Sequence, residues 1–86
     1  MEFVDLKQQC AREIAPGYSA RHVHTGNVTL QYCTISAGSP MPEHAHPHEQ
    51  VSTLISGRFE MVVEGKAVLL EEGAVLVIPP NARHSG

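Results

Sequence analysis

The stretch from Gly38 to Gly57 decides the fold, and it reads GSPMPEHAHPHEQVSTLISG. It starts with loop-forming glycine and prolines, passes through a histidine-rich run, and ends in a short β-branched segment before a second glycine. Alternate residues of an extended chain point to the same side, so His44 and His46 present two imidazoles together, and Gln50 shares that parity. Imidazole nitrogens bind zinc, iron, nickel and copper, and an amide or carboxylate oxygen can complete the set.

A further histidine follows a second segment far along the chain. Residues 73–84 read GAVLVIPPNARH, a short apolar run followed by two prolines and then His84. Two histidines near each other in sequence and a third far along the chain are typical of metal sites whose ligands come from two chain segments. Chance histidines in an exposed loop are the alternative that the pair alone leaves open. His48 is expected to face solvent, and the alternative is that it serves as a third ligand or supports the ligands. His22 and His24 are not expected to be ligands.

Turn signals divide most of the remaining chain into short segments with strand character. Residues 2–15 instead carry apolar side chains at intervals of three or four, which predicts a short helix ended by Pro16-Gly17. The later segments are rich in β-branched residues or alternate in polarity, and glycine-containing turns separate them. The chain is therefore predicted to be an all-β sandwich or barrel. The predicted strands cover residues 19–24, 28–35, 50–55, 58–63, 66–70 and 75–78.

Composition restricts the class of protein. The chain has 86 residues, of which 42% are hydrophobic and 17% charged, so we expect a single folded domain over residues 1–86. A net charge of −3 without a basic run argues against nucleic acid as a partner. No apolar stretch is long enough to span a bilayer and no secretory signal is visible, so the cytoplasm is the expected location. Cys10 and Cys33 are expected to be small buried hydrophobes.

The spacing within the two segments resembles the cupin motifs. Residues 38–57 follow G-x5-H-x-H-x3-Q-x6-G, similar to the first cupin motif, and residues 73–84 follow G-x5-P-x-N-x2-H, similar to the second. The resemblance implies a cupin double-stranded β-helix, or jelly roll, after a short N-terminal helical or irregular segment. It also implies one divalent metal ion inside the barrel, and nickel, zinc, iron and manganese all remain open. The ligands implied by the motifs are His44, His46, Gln50 and His84.

Two positions depart from those motifs. Most metal cupins carry a glutamate where this chain has Gln50, and a neutral donor set leaves the ion its full +2 charge, which makes it a stronger Lewis acid. Glu49 is the alternative fourth ligand, although a regular strand points it to the opposite face. Asn81 replaces a glycine, and asparagine also adopts left-handed backbone.

The run from His44 to Gln50, with the SGRFE sequence at residues 56–60, resembles small bacterial cupins found with pectin and alginate degradation. The resemblance implies ring opening of 4,5-unsaturated uronates by metal-assisted acid–base chemistry, with an acidic sugar as the small-molecule substrate. Arg58 is a candidate contact for the substrate carboxylate, and a solvated strand charge is the alternative. The acid–base residues of those cupins follow the second motif, so no catalytic residue is assigned.

Two other functions stay open, a non-catalytic metal- or sugar-binding cupin module and a metal-dependent dioxygenase. Dioxygenases of this kind usually keep the glutamate ligand, which makes them the weaker alternative. His84 lies among the last three residues, and a small jelly roll needs at least one strand after it. We therefore expect the C-terminal strand or strands to be missing or to be supplied by strand exchange in a homodimer.

Overall fold

The regular secondary structure consists almost entirely of short antiparallel β-strands, in a computed structural model that describes residues 1–86. The all-β prediction is confirmed. The chain divides into two compact units, Met1–Ser39 and Pro40–Gly86. No helix has the length and hydrophobicity that crossing a membrane requires. The strands are β1 (Arg12–Ala15), β2 (Tyr18–His24), β3 (Thr29–Ile35), β4 (Gln50–Thr53), β5 (Arg58–Val63), β6 (Lys66–Glu71), β7 (Val75–Ile78) and β8 (His84–Ser85).

The first unit is a three-stranded antiparallel sheet in the order β1-β2-β3. The predicted turn between β2 and β3 is present, and the Thr25 hydroxyl oxygen accepts hydrogen bonds from the backbone N–H groups of Asn27 and Val28. A threonine hydroxyl that bonds to nearby backbone in this way stabilises a tight turn. Tyr18 is buried at the start of β2, and its hydroxyl donates to the backbone oxygen of Ser39 over 2.9 Å.

The predicted helix over residues 2–15 is wrong. Only a single 3-10 turn forms, at Leu6–Gln8, with the Asp5 side chain capping its start. Residues Arg12–Ala15 instead pair with β2 as strand β1. An isolated helix of this length is marginal in water, so pairing with a neighbouring strand overrides the local apolar spacing. The expected burial of the thiols is also wrong, since Cys10 and Cys33 are both exposed.

The second unit contains a two-stranded sheet, β4-β7, and a three-stranded sheet in the order β6-β5-β8. Alternate residues of each strand point into the interior of the second unit, as the period-two pattern of the sequence predicts. Burial of these apolar side chains provides the main stabilisation of the unit. The buried core residues are Met61, Leu70, Ile78 and Ala82, and the half-buried side chains packed against them include Leu54, Phe59, Val63 and Leu76.

The hairpin between β5 and β6 also fixes the approach to β8. Glu64 and Gly65 have φ angles of 48° and 78°, so both central residues of the turn are left-handed, as is typical of a two-residue hairpin. Glutamate is an unusual first residue there, but its carboxylate accepts a hydrogen bond from the backbone N–H of Arg83 over 2.8 Å. The backbone N–H of Glu64 donates to the Arg83 oxygen, also over 2.8 Å. The turn therefore holds the residue just before β8.

Strand β8 has hydrogen-bonded neighbours on both sides. It pairs with β5 through Val63↔His84. On its other side, His44 and His84 form an antiparallel bridge in which each backbone N–H donates to the other residue's oxygen over 2.9 Å. The two cupin-like segments are thereby joined at two of their histidines.

Candidate metal centre

Three histidines from the two segments converge in the second unit. One ligand atom from each of His44, His46 and His84 lies within 4.8 Å of the other two. The antiparallel bridge places the side chains of His44 and His84 on the same side, because directly opposed residues share a face. His46 is held by a separate contact, a 2.8 Å hydrogen bond from the Asn81 backbone N–H to its carbonyl oxygen. The structure thus brings together all three histidines of the sequence-predicted ligand set.

Backbone carbonyls set the tautomer of each ring. Since a carbonyl oxygen only accepts, a ring nitrogen facing it must carry the proton and donate. A neutral ring then has its lone pair on the other nitrogen, Nε2, which is the state needed for metal binding. The Nδ1 atoms of His44, His46 and His84 lie 2.9 Å from the carbonyl oxygens of Pro42, His48 and Ala82, respectively.

The three rings differ in exposure. His84 is only 2% exposed, His46 is half-buried and His44 is exposed. Nε2 of His84 is buried and has no hydrogen-bond partner. Leaving a buried polar atom unsatisfied costs free energy comparable to a lost hydrogen bond. A cation held by the three imidazoles would satisfy this nitrogen, and His84 would form the buried side of such a site and His44 the solvent-facing side.

Gln50 lies at the same centre. Its Oε1 is 3.0 Å from Nε2 of His46, and its Nε2 donates to Oγ of Ser52 over 2.9 Å. With Nδ1 of His46 donating to the His48 carbonyl, the facing atoms of His46 and Gln50 both carry lone pairs. A shared cation resolves that conflict. Three imidazole nitrogens and one amide oxygen fit a divalent transition metal, and this neutral set leaves the ion its full +2 charge.

Glu49 is the alternative ligand that the sequence leaves open. It is exposed, precedes the first residue of β4, and does not belong to the histidine group. Of these two residues, Gln50 is the one whose side chain contacts a histidine of the group, through Nε2 of His46.

Most of the residues that orient the imidazole rings could not be identified from the sequence. His48 is exposed as expected, but its carbonyl accepts from Nδ1 of His46, and its ring stacks on that of His46 with centroids 4.9 Å apart. Pro42 and Ala82 act through backbone oxygens, for which residue type carries no signal. Ser52 could have been found, because it lies two residues after Gln50 and so shares its face of the strand.

Other sequence candidates are placed elsewhere. Arg58 is exposed and lies one residue out of phase with Phe59 and Met61, whose side chains face the core. Since Val63 pairs with His84 and shares the inward parity, Arg58 is on the opposite face of the sheet from His84. The rings of His22 and His24 stack on each other, 5.9 Å apart, in the first unit and take no part in the histidine group.

The strands and the histidine group define a small all-β protein with a candidate metal centre. The family model described as cupin domain matches residues 31–86, more than half of the chain, so the chain belongs to the cupin family. No match was found among curated proteins.

Solved structures confirm the expected cupin fold. KdgF from Halomonas sp. superposes with a TM-score of 0.91 at 22% identity, and the match covers 99% of this chain and 79% of that one. An RmlC-like cupin from Shewanella frigidimarina superposes with a TM-score of 0.84 at 23% identity, covering 99% of this chain and 78% of that one. Identities this low establish the fold alone.

Proposed function

We propose that this cupin binds one divalent metal ion through His44, His46, His84 and Gln50, and uses it to open the ring of a 4,5-unsaturated uronate. The observation that carries the proposal is the buried, unpartnered Nε2 of His84, which faces two further histidines whose Nδ1 protons are engaged by carbonyls. Such an arrangement brings three imidazole nitrogens close together, and one cation bound between them would satisfy all three.

The chain's own residues prepare the site for an anionic substrate. A bound ion supplies a Lewis acid that polarises hydroxyl and carboxylate oxygens of the sugar. The carbonyl bonds keep the rings in one tautomer and orientation, and Gln50 adds an oxygen without adding negative charge. The exposed position of His44 leaves one side of the site open to a ligand.

The substrate class is supported by a likeness in sequence and a likeness in fold. The run from His44 to Gln50 resembles the small bacterial cupins found with pectin and alginate degradation. The fold is similar to that of KdgF from Halomonas sp.. A neutral donor set also favours an acidic ligand over a neutral one, because a +2 ion attracts carboxylate strongly at short range.

Metal analysis combined with ultraviolet absorbance tests the proposal. The purified protein should contain or take up one divalent ion, and it should speed the loss of conjugated absorbance from an unsaturated uronate. His84→Ala should abolish both effects. His24→Asn is the matched control, because it removes a histidine that lies outside the group. Metal and sugar binding without any change in absorbance would favour the non-catalytic module, and failure to bind metal would overturn the proposal.

The proposal also covers the oligomeric state of the protein and its location in the cell. We expect residues 1–86 to form one cupin domain that associates as a homodimer in the cytoplasm. Support for association comes from the outward side of β4 and β7, where Val51, Val75 and Val77 are all more than half exposed. Contiguous exposed apolar side chains are typical of interaction surfaces. Light scattering in solution should give twice the chain mass of 9.3 kDa, and a monomeric mass would overturn the homodimer.

A further inference from the structure

The amide of Gln50 has a second partner besides His46. Gln50 and Ser52 are alternate residues of β4, so both side chains point to the same face of the strand. The Gln50 side-chain N–H₂ donates to Oγ of Ser52 over 2.9 Å, while its oxygen lies 3.0 Å from Nε2 of His46. The two ends of one amide are therefore engaged by two different residues.

We infer that Ser52 is a positioning residue for the metal site, which holds the Gln50 amide with its oxygen toward the histidines. The inference rests on the proposed metal-binding function, because it assigns the orientation of one proposed ligand. A primary amide can turn by 180° and present either oxygen or nitrogen, and only the oxygen can bind a cation. In this structure the Ser52 hydroxyl accepts from the N–H₂ group, and the amide oxygen faces the other way, toward His46.

The surroundings of Ser52 support a role beyond packing. Ser52 is half-buried and pairs across the sheet with Leu76. The next pair on the same face joins Gln50 to the fully buried Ile78. Leu54, the next residue on the same face, packs against the apolar core. An apolar residue would be expected between these neighbours. A hydroxyl there is costly unless it has a partner, and the Gln50 amide supplies that partner.

Three variants separate positioning from packing. Ser52→Ala removes the acceptor with little change in volume, whereas Ser52→Thr keeps the hydroxyl on a residue that favours strands. Thr53→Ala removes a hydroxyl from the adjacent residue, which is exposed on the opposite face, and serves as the matched control. Loss of residues that support metal ligands typically lowers metal affinity about 10- to 100-fold.

Metal affinity is measured with Co²⁺ by competition against a chelator, together with the visible absorption spectrum of the bound ion. We expect about a tenfold loss of affinity and a shifted spectrum for Ser52→Ala. Ser52→Thr and Thr53→Ala should both match the wild-type protein. A purely structural role for Ser52 would lower stability and leave the spectrum of the bound ion unchanged. Wild-type affinity and spectrum in Ser52→Ala would overturn the inference.

A second measurement needs no metal, so it tests the role of Ser52 separately from metal binding. In the metal-free protein, the side-chain amide resonances of Gln50 should report the hydrogen bond to Ser52 and should move in Ser52→Ala but not in Thr53→Ala. If the wild-type chain binds no Co²⁺, the proposed function fails. The Gln50 resonances then decide the inference alone, and unchanged resonances in Ser52→Ala would overturn it.

Discussion

Oε1 of Gln50 lies 3.0 Å from Nε2 of His46, although Nδ1 of the same ring donates to the His48 carbonyl. In a neutral site these two facing atoms would both be acceptors and would repel each other. A proton on His46 removes the conflict for one pair of atoms. A metal ion removes it for His46 and Gln50 and also satisfies the buried Nε2 of His84. The contact therefore links the Gln50 amide to the histidine group.

Gln50→Glu should bind divalent metal at least about tenfold more tightly than the wild-type protein, because a carboxylate adds a negative charge next to the ion. It should also lower the Lewis acidity of the ion and slow any turnover of the acidic sugar. Titration calorimetry measures the affinity. Glu49→Gln is the control, and it should leave affinity unchanged. A large loss in Glu49→Gln would instead make Glu49 the fourth ligand.

Metal should stabilise the wild-type chain but not a variant lacking His84. A ligand at 100 times its dissociation constant stabilises the native state by about 2.7 kcal/mol. For a domain of this size that corresponds to a rise in Tm of roughly 10 °C or more. His84→Ala should show almost none of this rise, since it removes the most buried donor. Thermal melts with and without added metal provide the measurement, and an equal rise in both proteins would place the ion elsewhere.

The strands could be predicted from the sequence because they depend on local features. The bounds of β5 and β7 follow from alternation or apolar runs between clear turn signals, and the structure matches the predicted residues 58–63 and 75–78. Strands β1 and β8 could not be predicted. Residues 12–15 fall within the apolar spacing that predicts a helix, and β8 has only two residues. Both strands depend on a partner beside them, Arg12 against Ala20 and His84 against Val63. Pairing with another segment leaves no pattern within the strand itself.

The convergence of the three histidines, with Gln50 beside His46, could be predicted from the spacing of the motifs. The orientation of the donors could not, because backbone carbonyls hold the rings. Pro42 and Ala82 each lie two residues before the histidine they bind, whereas His48 lies two residues after His46. The sequence offset between a histidine and the carbonyl that holds its ring therefore differs from one ring to the next. Arg58 and His84 lie on opposite faces of their sheet. Alternation along β5 shows this only when the register of β5 with β8 is known.

Asn81 should tolerate glycine and reject a β-branched residue. Its φ angle is 66°, in the left-handed region, and its backbone N–H donates to the His46 carbonyl over 2.8 Å. Left-handed backbone costs most L-residues roughly 1–2 kcal/mol. We therefore expect Asn81→Val to lower the free energy of unfolding of the metal-free protein by about that amount, with a loss of metal affinity as the turn shifts. Asn81→Gly should leave both quantities close to wild type in urea unfolding and metal titration. If Asn81→Gly lost as much stability and metal affinity as Asn81→Val, the left-handed backbone at residue 81 would not be the cause.

Alkaline pH should destabilise the chain partly through Tyr18. Burial raises the pKa of Tyr18, and the nearby Cys33 raises it further. The neutral hydroxyl also donates to the Ser39 carbonyl over 2.9 Å, a bond that a phenolate cannot make. Because the folded-state pKa lies above the ordinary value of about 10, the contribution is fully present below that value. It is then lost as the pH rises through the folded-state pKa.

Tyr18→Phe tests this sign directly. The variant should lose about 1 kcal/mol of stability near pH 8, since the hydrogen bond is gone. Between about pH 8 and pH 11, however, its free energy of unfolding should fall less than that of the wild-type protein, because no buried hydroxyl has to ionise. Tyr32→Phe is the matched control, because Tyr32 is exposed on β3. Urea unfolding across this pH range gives the slopes. Parallel slopes for wild type and Tyr18→Phe would show that Tyr18 does not contribute to the alkaline loss.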